Sequence, residues 1–130
     1  MSKGNTFEND VLLITFNATL AAHLGVLSSG GNTDLYVSLH TGDPGEGGNQ
    51  QTSECAFGSY ARQAVVRSGS GWTVSGNTAT NAATISFPEC TSGSETVTHV
   101  AIGTVVSATG QLLYSGALNA SRSVSSGITL

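Results

Sequence analysis

From Leu35 to Leu130 the chain is cut into short alternating runs by turn residues, and this punctuation constrains its fold more than anything else. The first run is the clearest. Leu35, Val37 and Leu39 fall on one face of an extended segment, with Tyr36, Ser38 and His40 on the other. Asp43-Pro44-Gly45 closes it as a turn, combining a side-chain acceptor, a fixed φ and a residue free to take φ > 0. Strand-like runs recur at Tyr60–Arg67, Trp72–Val74, Thr80–Phe87, Val97–Val106, Gln111–Ser115, Ala117–Ala120 and Arg122–Leu130. Turn signals at roughly 8–12-residue intervals predict about seven or eight antiparallel strands. The expected architecture is mainly β, a jelly-roll-like β-sandwich over residues 33–130. One N-terminal α-helix and a linker occupy residues 1–32, and the whole chain is expected to form a single domain.

The helix is read from a different period. Asn5 is placed as an N-cap, with Glu8 positioned to return the hydrogen bond and to sit at the positive end of the dipole. Val11, Ile14, Ala18, Ala21 and Leu24 recur at steps of three or four, and Leu12, Phe16 and Leu20 add a second stripe. Gly25 is the expected stop, and Ser28–Thr33 the linker. A helix apolar on two sides is buried under a sheet or against another subunit. The competing reading of Val11–Phe16 is a strand.

Composition excludes several partners. Only 9% of the residues are charged and the net charge is −4, against roughly 25% charged in an average soluble domain. Lys3, Arg62, Arg67 and Arg122 are too few for a nucleic-acid surface or a basic membrane patch. No segment approaches the ~20 apolar residues of a membrane span. The apolar run Val11–Leu24 follows Glu8 and Asp10 rather than a cationic flank, so no export signal is expected. Cys55 and Cys90 are too few for a disulfide framework or a zinc site; two free thiols and a single bridge both remain open.

No catalytic, cofactor or metal site emerges. His23, His40 and His99 lack metal-ligand spacing, and no serine sits in a nucleophile elbow. Asp43, Glu46 and Glu54 do not have the spacing of a calcium loop, and the glycines beside them are not followed by the Lys-Ser/Thr of a phosphate loop. Residues 42–58 instead read as a long Gly-rich loop. Asp43, Pro44, Gly45, Glu46, Gly47 and Gly48 form its candidate contact segment. Arg62, an arginine inside a β-run, is either an ordinary sheet residue or a tether holding that loop through Asp43 or Glu46. Trp72, the single tryptophan, is the candidate core or interface anchor.

Several stretches, in order along nearly the whole chain, resemble small structural proteins of tailed-phage virions, often labelled tail-fibre or capsid-associated. They are Glu8-Asn9 with Leu12-Leu13, the string Leu39-His40-Thr41-Gly42-Asp43-Pro44-Gly45-Glu46, Tyr60-Ala61-Arg62-Gln63, Ile85-Ser86-Phe87-Pro88, Thr96–His99, Leu113–Leu118 and Ser126–Leu130. The resemblance implies a β-sandwich virion component with no enzymatic role. The first functional expectation is a capsid cement or decoration protein on the head exterior, made in the host bacterial cytoplasm. Its partners would be the major capsid protein and further copies of itself, as a dimer or trimer. The alternative is a tail-fibre or tail-tip component whose polar loops meet a host glycan. A small glycan hydrolase is the remote third, its carboxylates drawn from Asp43, Glu46, Glu54, Glu89 and Glu95. Relatives are expected to continue past Leu130 with another apolar strand, which would leave the last edge here to pair with a neighbouring subunit.

Overall fold

A computed structural model describes residues 5–18 and 32–130. The elements in order are α1 (Asn5–Asn17), β1 (Asp34–His40), β2 (Gln63–Val66), β3 (Trp72–Ser75), β4 (Thr78–Asn81), β5 (Ser94–Gly103) and β6 (Leu112–Ser125). They form a four-stranded sheet in the order β2-β1-β5-β6 and a two-stranded sheet, β3-β4. The chain divides into two compact units. One takes the described part of Met1–Asp34 with Val65–Thr84, the other Leu35–Ala64 with Ile85–Leu130.

The mainly β class with an N-terminal helix stands, but the jelly-roll-like β-sandwich does not. Among the described residues there are six strands, and the second sheet is a single hairpin, whereas a jelly roll needs two facing multi-stranded sheets. The excess strands have specific causes. The runs Gln111–Ser115, Ala117–Ala120 and the start of Arg122–Leu130 are one strand, because Gly116 stays extended opposite Val100 instead of turning. The run Thr80–Phe87 is strand only to Asn81. Beyond it, Phe87 N–H donates to Leu130 O (2.8 Å) and Cys90 N–H to Ile128 O (2.9 Å), backbone pairing without a regular ladder.

In the first unit, Val11–Phe16 is helical, not a strand. The helix ends at Asn17, with Ala18 left-handed at φ 49°, well before Gly25. The expectations for Leu20, Ala21, His23, Leu24, Gly25 and the first part of the linker lie outside the described residues. Phe16 and Trp72 are both 4% exposed, and their rings pack 4.7 Å apart at 57°. Arg67 closes the helix end. Its Nε donates to Thr15 O (2.7 Å), its Nη2 to Ile14 O (2.6 Å) and its Nη1 to Asn32 O (2.8 Å). A guanidinium there satisfies carbonyls the helix leaves open and opposes its negative pole.

In the second unit β1 is internal and buried on both faces. Leu35, Val37 and Leu39 form the apolar face as the alternation predicts, and Ser38 and His40 on the other face are fully buried. β1 pairs antiparallel with β5 from Tyr36↔Gly103 to His40↔His99. Val97, Ala101, Val124, Phe57, Phe87, Cys55 and Cys90 complete this core. Both cysteines are free.

Candidate functional site

The long loop predicted after β1 is built, residue by residue, from its own polar groups. Asp43 Oδ1 accepts from Gly45 N–H (2.9 Å), an Asx turn, with Gly45 at φ 68° as the Asp-Pro-Gly triplet requires. Asn49 Oδ1 caps Gln51 N–H (2.9 Å) and Thr52 Oγ1 takes Asn49 N–H (3.1 Å). At its base Thr41 N–H donates to Ser53 O (2.8 Å) and Cys55 N–H to Leu39 O (2.9 Å). The tip Asp43–Gly48 keeps Asp43, Glu46 and Gly47 exposed, while Pro44 is buried beneath them.

Below the tip a charged latch joins this loop to the one between β5 and β6. The Arg62 guanidinium meets the Glu54 carboxylate side-on, Nε to Oε1 at 2.7 Å and Nη2 to Oε2 at 2.8 Å. Its remaining N–H groups reach Val105 O (3.0 Å) and Ala108 O (2.8 Å). Glu54, hydrogen-bonded to that guanidinium, holds the Arg62 pKa above its ordinary value. The partner is therefore Glu54, not Asp43 or Glu46. Tyr60 OH donates to Glu54 Oε1 (3.0 Å) and accepts from Leu39 N–H (3.0 Å), which ties the latch to the central strand. Burial, with the Glu54 charge beside it, pushes the Tyr60 phenol up.

Gln50 is a second clasp. Its Oε1 accepts from Thr104 N–H (2.9 Å) and Val105 N–H (3.0 Å), and its Nε2 donates to Val105 O (3.2 Å). The side chain is fully buried in a slot that exists because residues 103 and 110 are glycines; a Cβ at either would overlap it. His40 stands beside this network. Thr52 O, which can only accept, faces Nδ1 at 2.8 Å, so the neutral ring carries its proton there and Nε2 accepts from Ser38 Oγ at 2.9 Å. Desolvation lowers the His40 pKa from its usual 6.5. Sequence reasoning named Glu54 only as a loop carboxylate and not as the partner of Arg62, and it missed Gln50, whose partners more than fifty positions away leave no local signal.

A further loop carboxylate, Glu95, is occupied structurally. Glu95 accepts from Ala56 N–H (2.9 Å to Oε2) and Phe57 N–H (3.1 Å). Glu54, held by Arg62 and Tyr60, and Asp43, in its own turn, are thus engaged in holding the loop. Among the described residues no three His, Cys, Asp or Glu side chains gather as metal ligands, and no helix is long and apolar enough to cross a membrane. Trp72, in the other unit, is a buried residue packed on Phe16.

The remaining surface of note is β6. Of its fourteen residues only Val124 is buried. Its pairing with β5 breaks where Leu118–Ser121 stand opposite Thr98 alone, a wide bulge between Val97↔Arg122 and His99↔Ala117. An apolar cleft of about 460 Å³ opens there, walled by Leu39, Phe87, Val97, Leu118 and Leu130, with Arg122 the one charged group lining it.

Over residues 4–130 the sequence matches a protein family described as Podophage GP4 fiber I protein gp80. No curated protein sequence matches it. The chain belongs to the fiber I family, and it is accordingly a structural, non-enzymatic component of a phage virion. The virion resemblance read from the sequence is thereby shown. The weight given to capsid cement is not: the family is described by a fibre, so the reading ranked second is the better supported.

Proposed function

We propose that this chain is a subunit of a fibre on the phage tail, and that the preformed loop 41–59 is a contact surface it presents. The observation that carries the reading is the family match over 4–130. The loop supports it physically. Its tip is exposed yet held by the Asx turn, the Gln50 clasp and the Glu54–Arg62 latch, so little order remains to be lost on binding. Asp43 and Glu46 at the tip offer acceptors suited to hydroxyl-rich host glycans or to the polar backbone of a neighbouring tail protein. With this reading the expected partner shifts from the major capsid protein to other tail components and further copies of the chain.

Location decides it. Separating heads from tails in purified particles and quantifying the chain in each is expected to put it in the tail fraction, where labelled antibody should mark the fibres. Recovery with the shell, at a copy number that follows the capsid lattice, would reject the proposal. Replacing Asp43 and Glu46 together by Ala is expected to slow host adsorption while leaving thermal stability unchanged. Unaltered adsorption would remove the tip from the binding surface.

A further inference from the structure

We infer that the cleft beside the β6 bulge binds a free fatty carboxylate, with the hydrocarbon chain on the apolar floor and the head group on Arg122. The bulge itself shapes the cleft. Leu118, Asn119 and Ala120, three of the four residues that stand opposite Thr98 alone, form one wall. Bulges interrupt pairing and re-aim side chains at defined places, and here the interruption coincides with the opening. Leu39, Phe87 and Val97, all buried, make the floor, with Ile85 and Leu130 half-buried around it. The volume of about 460 Å³ lies within the roughly 300–1,000 Å³ of clefts that hold small molecules.

The charge pattern assigns the occupant. Arg122 is the register partner of Val97, so its side chain leaves the same face of the sheet as that floor residue. Among the described residues its guanidinium has no hydrogen-bond or ion-pair partner, unlike those of Arg62 and Arg67. Asn119 supplies the other polar side chain of the lining, and the remaining seven lining residues are apolar. Such a lining suits a ligand with one anionic end and nothing else to hydrogen-bond. A peptide would bring an N–H and a C=O with every residue, and burying those against hydrocarbon without partners is costly. A neutral chain would leave Arg122 unused, and a cationic one would meet its charge. A carboxylate matches the planar guanidinium with two parallel hydrogen bonds. The cleft draws nothing from the 41–48 tip, apart from which it lies in the chain, so the inference does not rest on the fibre proposal.

The test titrates decanoate, below its micelle concentration, into the isolated full-length chain and follows the amide shifts by NMR. Shifts are expected at Val97, Leu118–Arg122 and Leu130, with none in the 41–48 tip. Decanol should bind about tenfold more weakly, because the charged hydrogen bonds to Arg122 are lost, and decyltrimethylammonium more weakly still. Arg122→Gln should bring decanoate down to the level of decanol and leave decanol itself unchanged. The comparison of the three amphiphiles on the unaltered chain does not require that variant to fold. Absent shifts, shifts centred away from the cleft, or equal affinity for decanoate and decanol would each overturn the proposal. Binding to phosphatidylglycerol vesicles without binding to monomeric decanoate would also overturn it and assign the surface to a membrane. So would cleft shifts that appear on concentrating the protein alone, since those would put a second copy in the cleft.

Discussion

Arg62→Met removes the guanidinium from the latch and leaves every partner in place. Glu54, whose side chain is 13% exposed, then keeps its charge with only the Tyr60 hydroxyl to solvate it, and Val105 O and Ala108 O each lose a donor. Removing one member of a buried ion pair costs about 3–5 kcal/mol. Taking about 4 kcal/mol and a urea slope of about 2 kcal/mol/M, the midpoint of the second unit should fall by roughly 2 M at unchanged slope. Glu54→Leu with Arg62→Met removes both charges. It should recover most of the loss, because what remains is hydrogen bonds forfeited by Tyr60 and two carbonyls, about 1–2 kcal/mol in all. Far-UV circular dichroism is the proper signal. The only tryptophan, Trp72, lies in the other unit, and its fluorescence serves as an internal control. A loss below about 1 kcal/mol for Arg62→Met, or a double variant as unstable as the sum of the singles, would refute the idea that this pair holds the loop.

His40 gives a pH signature. Its folded pKa lies below the unfolded value near 6.5, so below that pH the unfolded chain takes up a proton that the folded one refuses. Stability should be constant above pH ~7 and fall through the window beneath 6.5 by at most about 1.4 kcal/mol per pH unit. His40→Gln should flatten that slope in urea titrations, and an unchanged slope would place its origin elsewhere. Gly103→Ala puts a methyl into the Gln50 side chain and should cost about 1–3 kcal/mol by thermal melt. Gln50→Ala on the same background should recover part of it, and failure to do so would discount the slot. Burial and the Glu95 carboxylate push the Cys55 thiol up to about 12, so a disulfide reagent at pH 8 should leave it unreacted until urea unfolds the chain. Prompt labelling of Cys55 in the native protein would contradict this burial. Phe16→Ala should lower the stability of the first unit by about 3–4 kcal/mol, read as a shifted Trp72 fluorescence transition; a shift under 1 kcal/mol would mean the ring pair is peripheral.

What the sequence made legible follows the range over which each signal acts. Alternation fixed β1 from Leu35 to Leu39, and the Asp43-Pro44-Gly45 chemistry fixed the turn after it, because both are decided within a few residues. Glu8 stands in the first turn of α1, where the helix dipole favours a carboxylate. Strand number was misread where a local cue competed with pairing. Gly116 has the composition of a turn, yet the ladder with Val100 holds it extended and fuses three expected strands into β6. Partner choice was not legible either. Three carboxylates lay within plausible reach of Arg62, and the closure of the loop by Thr41 and Ser53 brings up Glu54 in place of Asp43 or Glu46. Nothing near Gln50 hints that two glycines more than fifty positions away clear the space it fills.

The scarcity of charge also has a structural use. Arg62 spends its guanidinium on a carboxylate and two loop carbonyls, and Arg67 spends its own on the carbonyls that end the helix. Lys3 lies outside the described residues, which leaves Arg122 as the described basic side chain that does neither. Arg62 and Arg67 thus hold loops and a helix end in place, while the exposed tip presents the Asp43 and Glu46 carboxylates and β6 presents mostly small, hydroxyl and amide side chains. A surface this sparsely charged associates through directed hydrogen bonds, with little long-range steering. Such contacts need partners already in position. Under the fibre proposal, assembly on the particle supplies those neighbours at high local concentration.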